Sequence, residues 1–244
     1  MRPATLLLFL AALAAGDETV PRGVDWTPRA GSGWAGFAKG SFVKMKRSHL
    51  PEGRAPMVTV WTTTLSKAGK DSFTLETKAA NAVGMEQTTT NVVPRSGEAG
   101  EGETQETEAL ENEAIGVLGR EVDCKRERTT VTGPSGKRVI TKWIAEDPKA
   151  WAKRTELWYD AKGEVTYRST WLLKEVGDSR TVGTKRVACL RYIVLIKQGD
   201  AEHKGQIWTS RDVPGGIVRA EYEVVQGGRS VAQIVDEALD LDVK

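Results

Sequence analysis

The stretch VACLRYIVLIKQGDAEHKGQIWTSRDVPGGIVRAEYEVVQGG, residues 187–228, carries the signals from which the architecture follows. Its β-branched and aromatic residues come in short alternating runs, the pattern of strands with one face toward a core. Between the runs 204–209 and 217–225 stand Val213, Pro214, Gly215 and Gly216. Proline presets φ near −65° at the second place of a type II turn, and the third place needs φ > 0, which glycine accepts. VPGG therefore reads as a structural turn between the strand that ends near Trp208 and the strand that starts at Ile217. The functional alternative is an anion nest of glycine amides beside Arg211 and Arg219.

The stretch repeats an earlier one. Shifted by 65 residues, positions 122–163 match 187–228 at eight places, among them Val122/Val187, Cys124/Cys189, Arg126/Arg191, Trp143/Trp208 and Gly163/Gly228. A repeat of this length implies one supersecondary unit used again. Each unit reads as four strands, in the last case 185–197, 204–209, 217–225 and 230–236. Strands are also expected at 42–47, 57–65, 72–80 and 85–93, separated by turn signals such as Pro51-Glu52-Gly53. Short connections make neighbours antiparallel. The expected fold class is all-β with minor α: a large curved antiparallel meander of about 10–12 strands, a half-barrel or open barrel, with one or two short helices.

Two segments are ambiguous. Residues 97–113 hold seven Glu and no Lys or Arg. They read as an acidic solvated loop that passes into a possible helix over 104–118, with Leu110, Ala114, Val117 and Leu118 on one face and Gly119 as its cap. Residues 230–238 fit a strand by the repeat, or a helix capped by Ser230 with Gln233.

The ends and the composition bound the function. Residues 1–14 have a positive n-region at Arg2, an apolar stretch and Ala12-Leu13-Ala14, the features of a signal peptide. The stretch is too short for a membrane anchor, which needs about 20 apolar residues. Residues 15–40 form an irregular arm, and 41–244 a single β domain. The net charge of +2 is not a nucleic-acid footprint. Gly31-Ser32-Gly33-Trp34-Ala35-Gly36 fits G-x-G-x-x-G, but Pro28 precedes it and a strand-like run follows, so no dinucleotide cofactor is expected. His49 and His203 have no partners at ligand spacing, so no metal is expected. Asp147/Asp212 and Glu156/Glu221 recur between units, which suits turn caps and cross-strand partners of Arg154 and Arg219 rather than catalysis. Cys124 and Cys189 occupy equivalent places four strands apart, roughly 19 Å across an open sheet. A disulfide needs Cα atoms within about 7 Å, so two free buried thiols are expected.

Gly40-Ser41-Phe42-Val43-Lys44-Met45-Lys46, Val187-Ala188-Cys189 and Trp208-Thr209-Ser210, leading to Val213-Pro214-Gly215-Gly216-Ile217-Val218-Arg219, resemble marks of an uncharacterised family of secreted bacterial proteins with a G-S-aromatic-V start and a W-x-S-x-x-V-P-G-G-x-V-K/R signature. Met45 stands where that pattern has Tyr. The architecture is also similar to the LolA/LolB-like periplasmic lipoprotein carriers, whose curved sheet surrounds an apolar cavity. That resemblance implies lipid handling; with the signal peptide and the want of a nucleophile–base pair, the expectation is an exported, periplasmic or extracellular, non-enzymatic protein binding a lipid, acyl chain or lipoprotein. Trp61, Trp143, Trp171 and Trp208 are the residues expected to line the ligand wall, since indoles bring large apolar area. The rival expectation is a structural or adaptor protein with no ligand cavity, working through the acidic segment or a sheet edge. N-terminal sequencing of exported material is expected to begin within a few residues of Ala15; an intact Met1 on the soluble protein would contradict export.

Overall fold

The computed structural model describes residues 25–27, 33–80, 85–95, 99 and 102–244. The expected signal segment, much of the arm including Gly31-Ser32, and part of the acidic stretch lie outside them. The described elements are strands only: β1 Phe42–Pro51, β2 Met57–Ala68, β3 Ser72–Ala80, β4 Glu86–Pro94, β5 Thr104–Val117, β6 Arg120–Gly133, β7 Gly136–Glu146, β8 Lys149–Asp160, β9 Val165–Val182, β10 Lys185–Gln198, β11 Ala201–Thr209, β12 Ile217–Gln226 and β13 Arg229–Asp242.

All thirteen belong to one antiparallel sheet, in the order β4-β3-β2-β1-β13-β12-β11-β10-β9-β8-β7-β6-β5. The first strand docks on the last, with Phe42 opposite Asp242 and Pro51 opposite Ala232. The two edges, β4 and β5, are consecutive in the chain, and this dictates curvature. Laid flat at ~4.8 Å per strand, the sheet would hold its edges about 58 Å apart. The chain from Pro94 to Thr104 reaches about 36 Å at most. The edges must bend toward each other, yet they do not pair, so the sheet is curved and open.

The expected helices are absent from the described residues. The segment 104–118 is the edge strand β5, and 230–238 lies inside β13. A bulge between Leu110 and Glu113 shifts the side-chain alternation of β5, which produces the helix-like spacing of its apolar residues. Gly119 is not a helix cap. Leu118 (φ 54°) and Gly119 (φ 74°) form the two-residue turn into β6, where φ > 0 is required. The Glu-rich composition belongs largely to this edge, with Glu108 on Arg128 and Glu113 on Arg126, each at 3.1 Å.

The 65-residue shift lays β5–β8 over β9–β12, with β6 and β10 coinciding end for end. Side chains repeat as well. Cys124 Sγ donates to Val122 O at 3.4 Å and Cys189 Sγ to Val187 O at 3.7 Å. Trp143 Nε1 donates to Glu113 at 3.1 Å and Trp208 Nε1 to Asp178 at 2.8 Å, again positions 65 apart. Arg154 pairs with Glu156 at 2.7 Å and Arg219 with Glu221 at 2.6 Å. These last pairs run along one strand, i to i+2 on the same face, rather than across strands.

The strands change their buried face midway. In β10, Val187 and Cys189 are buried on one face, then Leu190, Tyr192 and Val194 on the other. In β6, Val122 and Cys124 give way to Thr129 and Val131. The first set joins two clusters at the end of the sheet where the arm lies. One gathers Trp34, Phe37, Val43, Leu65, Phe73, Val187, Cys189, Trp208, Val213 and Leu241; the other gathers Ile115, Val122, Cys124 and Trp143. Tyr192 centres a third with Trp26, Leu173, Val194 and Ile207. The arm is tied down by Trp26 N–H on Lys149 O at 2.7 Å, by Asp25 near Lys149 and Arg211, and by Gly40 N–H on Leu65 O at 2.9 Å.

VPGG is a type II turn, with Gly215 at φ 81° and Gly216 N–H on Val213 O at 2.8 Å. Arm and turn meet backbone to backbone: Gly215 N–H donates to Gly33 O, and a Cβ on Gly33 would fall 2.6 Å from Gly215 C. Gly33 (φ 85°) and Gly163 (φ 84°) share a positive φ that would strain an L side chain, but Gly163 has open space around it. Gly163→Ala is therefore expected to cost about 1–2 kcal/mol, and Gly33→Ala roughly 1–3 kcal/mol more. Equal midpoints for the two variants in urea unfolding would contradict the arm–turn contact.

Both cysteines are free and buried, on β6 and β10, four strands apart. Burial first, then the Asp178 carboxylate, pushes the Cys189 thiol up to about 12. The unfolded chain would lose that proton from about pH 9, so the stability due to the neutral thiol is present below pH 9 and lost as pH rises toward 12. Two thiols should titrate on unfolding without reductant and neither in the native protein at pH 8. Cys189→Ala should flatten the fall in stability between pH 9 and 10, before the tyrosines ionise; an unchanged slope there would count against it.

Candidate functional site

The second unit departs from the first at one place. In the first, β7 and β8 zip down to Glu146 opposite Lys149. In the second, β11 and β12 stop at Thr209 opposite Ile217, and residues 210–216 form the turn. Pro214, Gly215 and Gly216 thus occupy positions that are strand in β8, namely Lys149, Ala150 and Trp151. Proline lacks the N–H the ladder needs, and glycine disfavours extension, so the hairpin ends early.

Shortening this hairpin leaves its neighbours overhanging. β10 pairs with β11 only from Leu190 onward, and β12 pairs with β13 only up to Glu237. The overhangs lean together beyond the short hairpin. A Cβ on Gly183, in the β9–β10 turn, would lie 2.7 Å from Asp240 Oδ1 of β13. Between them is a cleft of about 450 Å³ lined by Lys185, Arg186 and Val187 of β10, Leu241 and Val243 at the end of β13, Phe37 of the arm and Asp212 of the turn. Four lining residues are apolar, two are cationic and one is acidic. Val187, Leu241 and Phe37 are buried, while Lys185, Arg186 and Asp212 are exposed.

The four expected tryptophans are not brought together, and none lines this cleft. Trp208 is buried behind it, in the cluster that holds Phe37, Val187 and Leu241. Its ring lies 4.3 Å from the Arg180 guanidinium, which also pairs with Asp178 at 3.2 Å. Trp143 lies in a separate cluster, and its ring meets Arg126 and Lys153, cations that do not correspond to Arg180 under the 65-residue shift. Trp171 is on the opposite face: it sits across from Val194, beside Tyr192, whereas Trp208 sits across from Arg191. Trp61 is half-buried under Arg47 on β2.

The Tyr192 face also carries polar and charged groups. Tyr222 of β12 bears electrostatically on Tyr167 of β9 across two strands. Burial first, and then Asp236, push the Tyr222 hydroxyl above its ordinary range. Arg47 clasps Asp236 through two 2.7 Å hydrogen bonds, which ties β1 to β13 on this face. Facing it, Arg154 and Glu156 pair on β8, with Trp158 Nε1 donating to Glu156 at 2.6 Å. This network uses its own charges internally. Among the described residues there is no cluster of metal-ligating groups, and no helix is long and apolar enough to cross a membrane.

The signal that could have located the cleft was the turn itself. Laid on the repeat, VPGG falls on strand positions, which foretells a truncated hairpin.

No family model and no curated protein matches the chain. Solved structures do. The chain is similar to a "putative exported protein with YmcC-like fold" from Bacteroides fragilis, at 8% identity and TM-score 0.37 over 89% of this chain and 99% of that one. It is similar to a "putative lipoprotein" from Parabacteroides distasonis, at 11% identity and TM-score 0.38 over 90% and 100%. A "putative outer membrane lipoprotein-sorting protein domain" from Vibrio parahaemolyticus aligns at 12% identity and TM-score 0.37 over 87% and 88%. Similarity of this degree carries no inference about function, and the chain's own geometry is what bears on it.

Proposed function

We propose that this is an exported, non-enzymatic cell-envelope protein that binds an apolar or amphiphilic ligand, a lipid or acyl chain, on its curved sheet. The cleft between the β10 and β13 overhangs carries the reading. A volume of about 450 Å³ falls within the range of small-molecule sites. Its floor is apolar, and its charged groups are confined to exposed positions, the distribution an amphiphile needs. Trp208 packs in the cluster behind the floor and serves as its reporter. The signal-like residues 1–14 support export. A second reading, an adaptor working through protein contact, is favoured by the two unpaired edges β4 and β5, each a template for strand addition.

Titration with twelve-carbon amphiphiles of differing headgroup is expected to give saturable binding at one site per chain, seen by calorimetry and as a shift in tryptophan emission. Val243 lines the cleft and is 41% exposed, so Val243→Glu should leave the fold intact. It should weaken binding about tenfold or more by placing a charge among the apolar lining. If no amphiphile saturates the wild-type protein, the ligand reading fails and the adaptor reading stands.

A further inference from the structure

We propose that the cleft selects an anionic amphiphile, with Lys185 and Arg186 holding a carboxylate or phosphate headgroup while the chain lies on Phe37, Val187, Leu241 and Val243. The inference rests on the ligand reading above and adds the charge of the guest. The cations come from the overhang of β10. Lys185 and Arg186 are consecutive, and in a fully paired strand they would point to opposite faces. Here β11 is missing beside them, and both reach the same cleft.

Both cations are exposed. Among the described residues neither takes part in an ion pair; Asp242, the acid that feels Lys185, holds Lys244 at 2.5 Å. The neighbouring cations are used differently: Arg180 is on Asp178 and Trp208, Arg191 on Glu175, and Arg219 on Glu221 and Glu237. Asp212 is the single acid on the wall, so the lining carries a net +1, two cations against one carboxylate. A guest anion meets the two donors at the exposed mouth, and its chain covers apolar surface. A cationic headgroup there would meet two like charges on the wall, against Asp212 and the Asp242 carboxylate that Lys244 already holds.

Asp212 supplies the sharpest test, because removing its charge should improve binding, which misfolding cannot imitate. Affinities of dodecanoate, dodecyl phosphate, dodecanol and dodecyltrimethylammonium would be measured on the full chain by calorimetry at low salt, below the micelle threshold. Both anions are expected to bind about tenfold tighter than the alcohol, and the ammonium more weakly than the alcohol. Asp212→Asn should tighten the anions about threefold and leave dodecanol unchanged. Lys185→Glu with Arg186→Glu should abolish the anion preference while dodecanol still binds, which shows the cleft is intact. Dodecanoate against dodecyl phosphate identifies which anion fits better. Equal affinity for all headgroups, a preference for the ammonium, or an anion preference untouched by the three substitutions would each overturn the proposal while leaving amphiphile binding in place. No binding of any amphiphile would overturn both.

Discussion

The ladder between β1 and β13 holds the molecule together. Without it the sheet separates into β1–β4 and β5–β13, joined only through the connection that follows β4. The ladder spans nearly the whole chain, with Phe42 across from Asp242. Arg47 reinforces it by clasping Asp236, a largely buried carboxylate. Because the terminal strands meet in mid-sheet, consecutive strands become the edges, and the reach of the chain between them forces the curl. The cleft depends on that ladder, since it places the end of β13 beside the arm and over the short hairpin.

Strand positions were legible from alternation. β3 lies at 72–80 as expected, and β1, β2, β10 and β12 start where the pattern starts. The repeat was legible too, because a shift of 65 aligns residues that make the same hydrogen bonds. What failed has a common cause in bulges and in strands buried on both faces. The bulge in β5 turned a two-residue period into a helix-like one. The change of buried face within β6 and β10 made it impossible to assign Trp143, Trp171 and Trp208 to one wall from parity. Register places Trp143 and Trp208 on one face and Trp171 on the other. The cleft was not readable as a list of residues, since its lining comes from four separate segments. Its cause, VPGG on strand positions, was in view.

The acidic stretch takes on a different meaning at an edge. Unpaired N–H and C=O groups along β5 could recruit another strand, and Glu106 and Glu111 place negative charge beside them, with Glu108 and Glu113 held by Arg128 and Arg126. Such a distribution repels like edges. It guards this edge without a covering helix among the described residues.

A doubled unit also divides labour over evolutionary time. In the first copy the corner is fully laddered, and any loosening there would be borne by the fold alone. In the second copy the same corner is already released into a turn braced by the arm, so its residues are insulated from the register of the strands. Substitution at the exposed Asp212 can therefore alter the mouth of the cleft, whereas Val213 beside it is held in the core with Val43, Leu65 and Phe73. The two copies amount to a reference and a variant within one chain, and the variant corner can diversify while the reference keeps the curvature that both require.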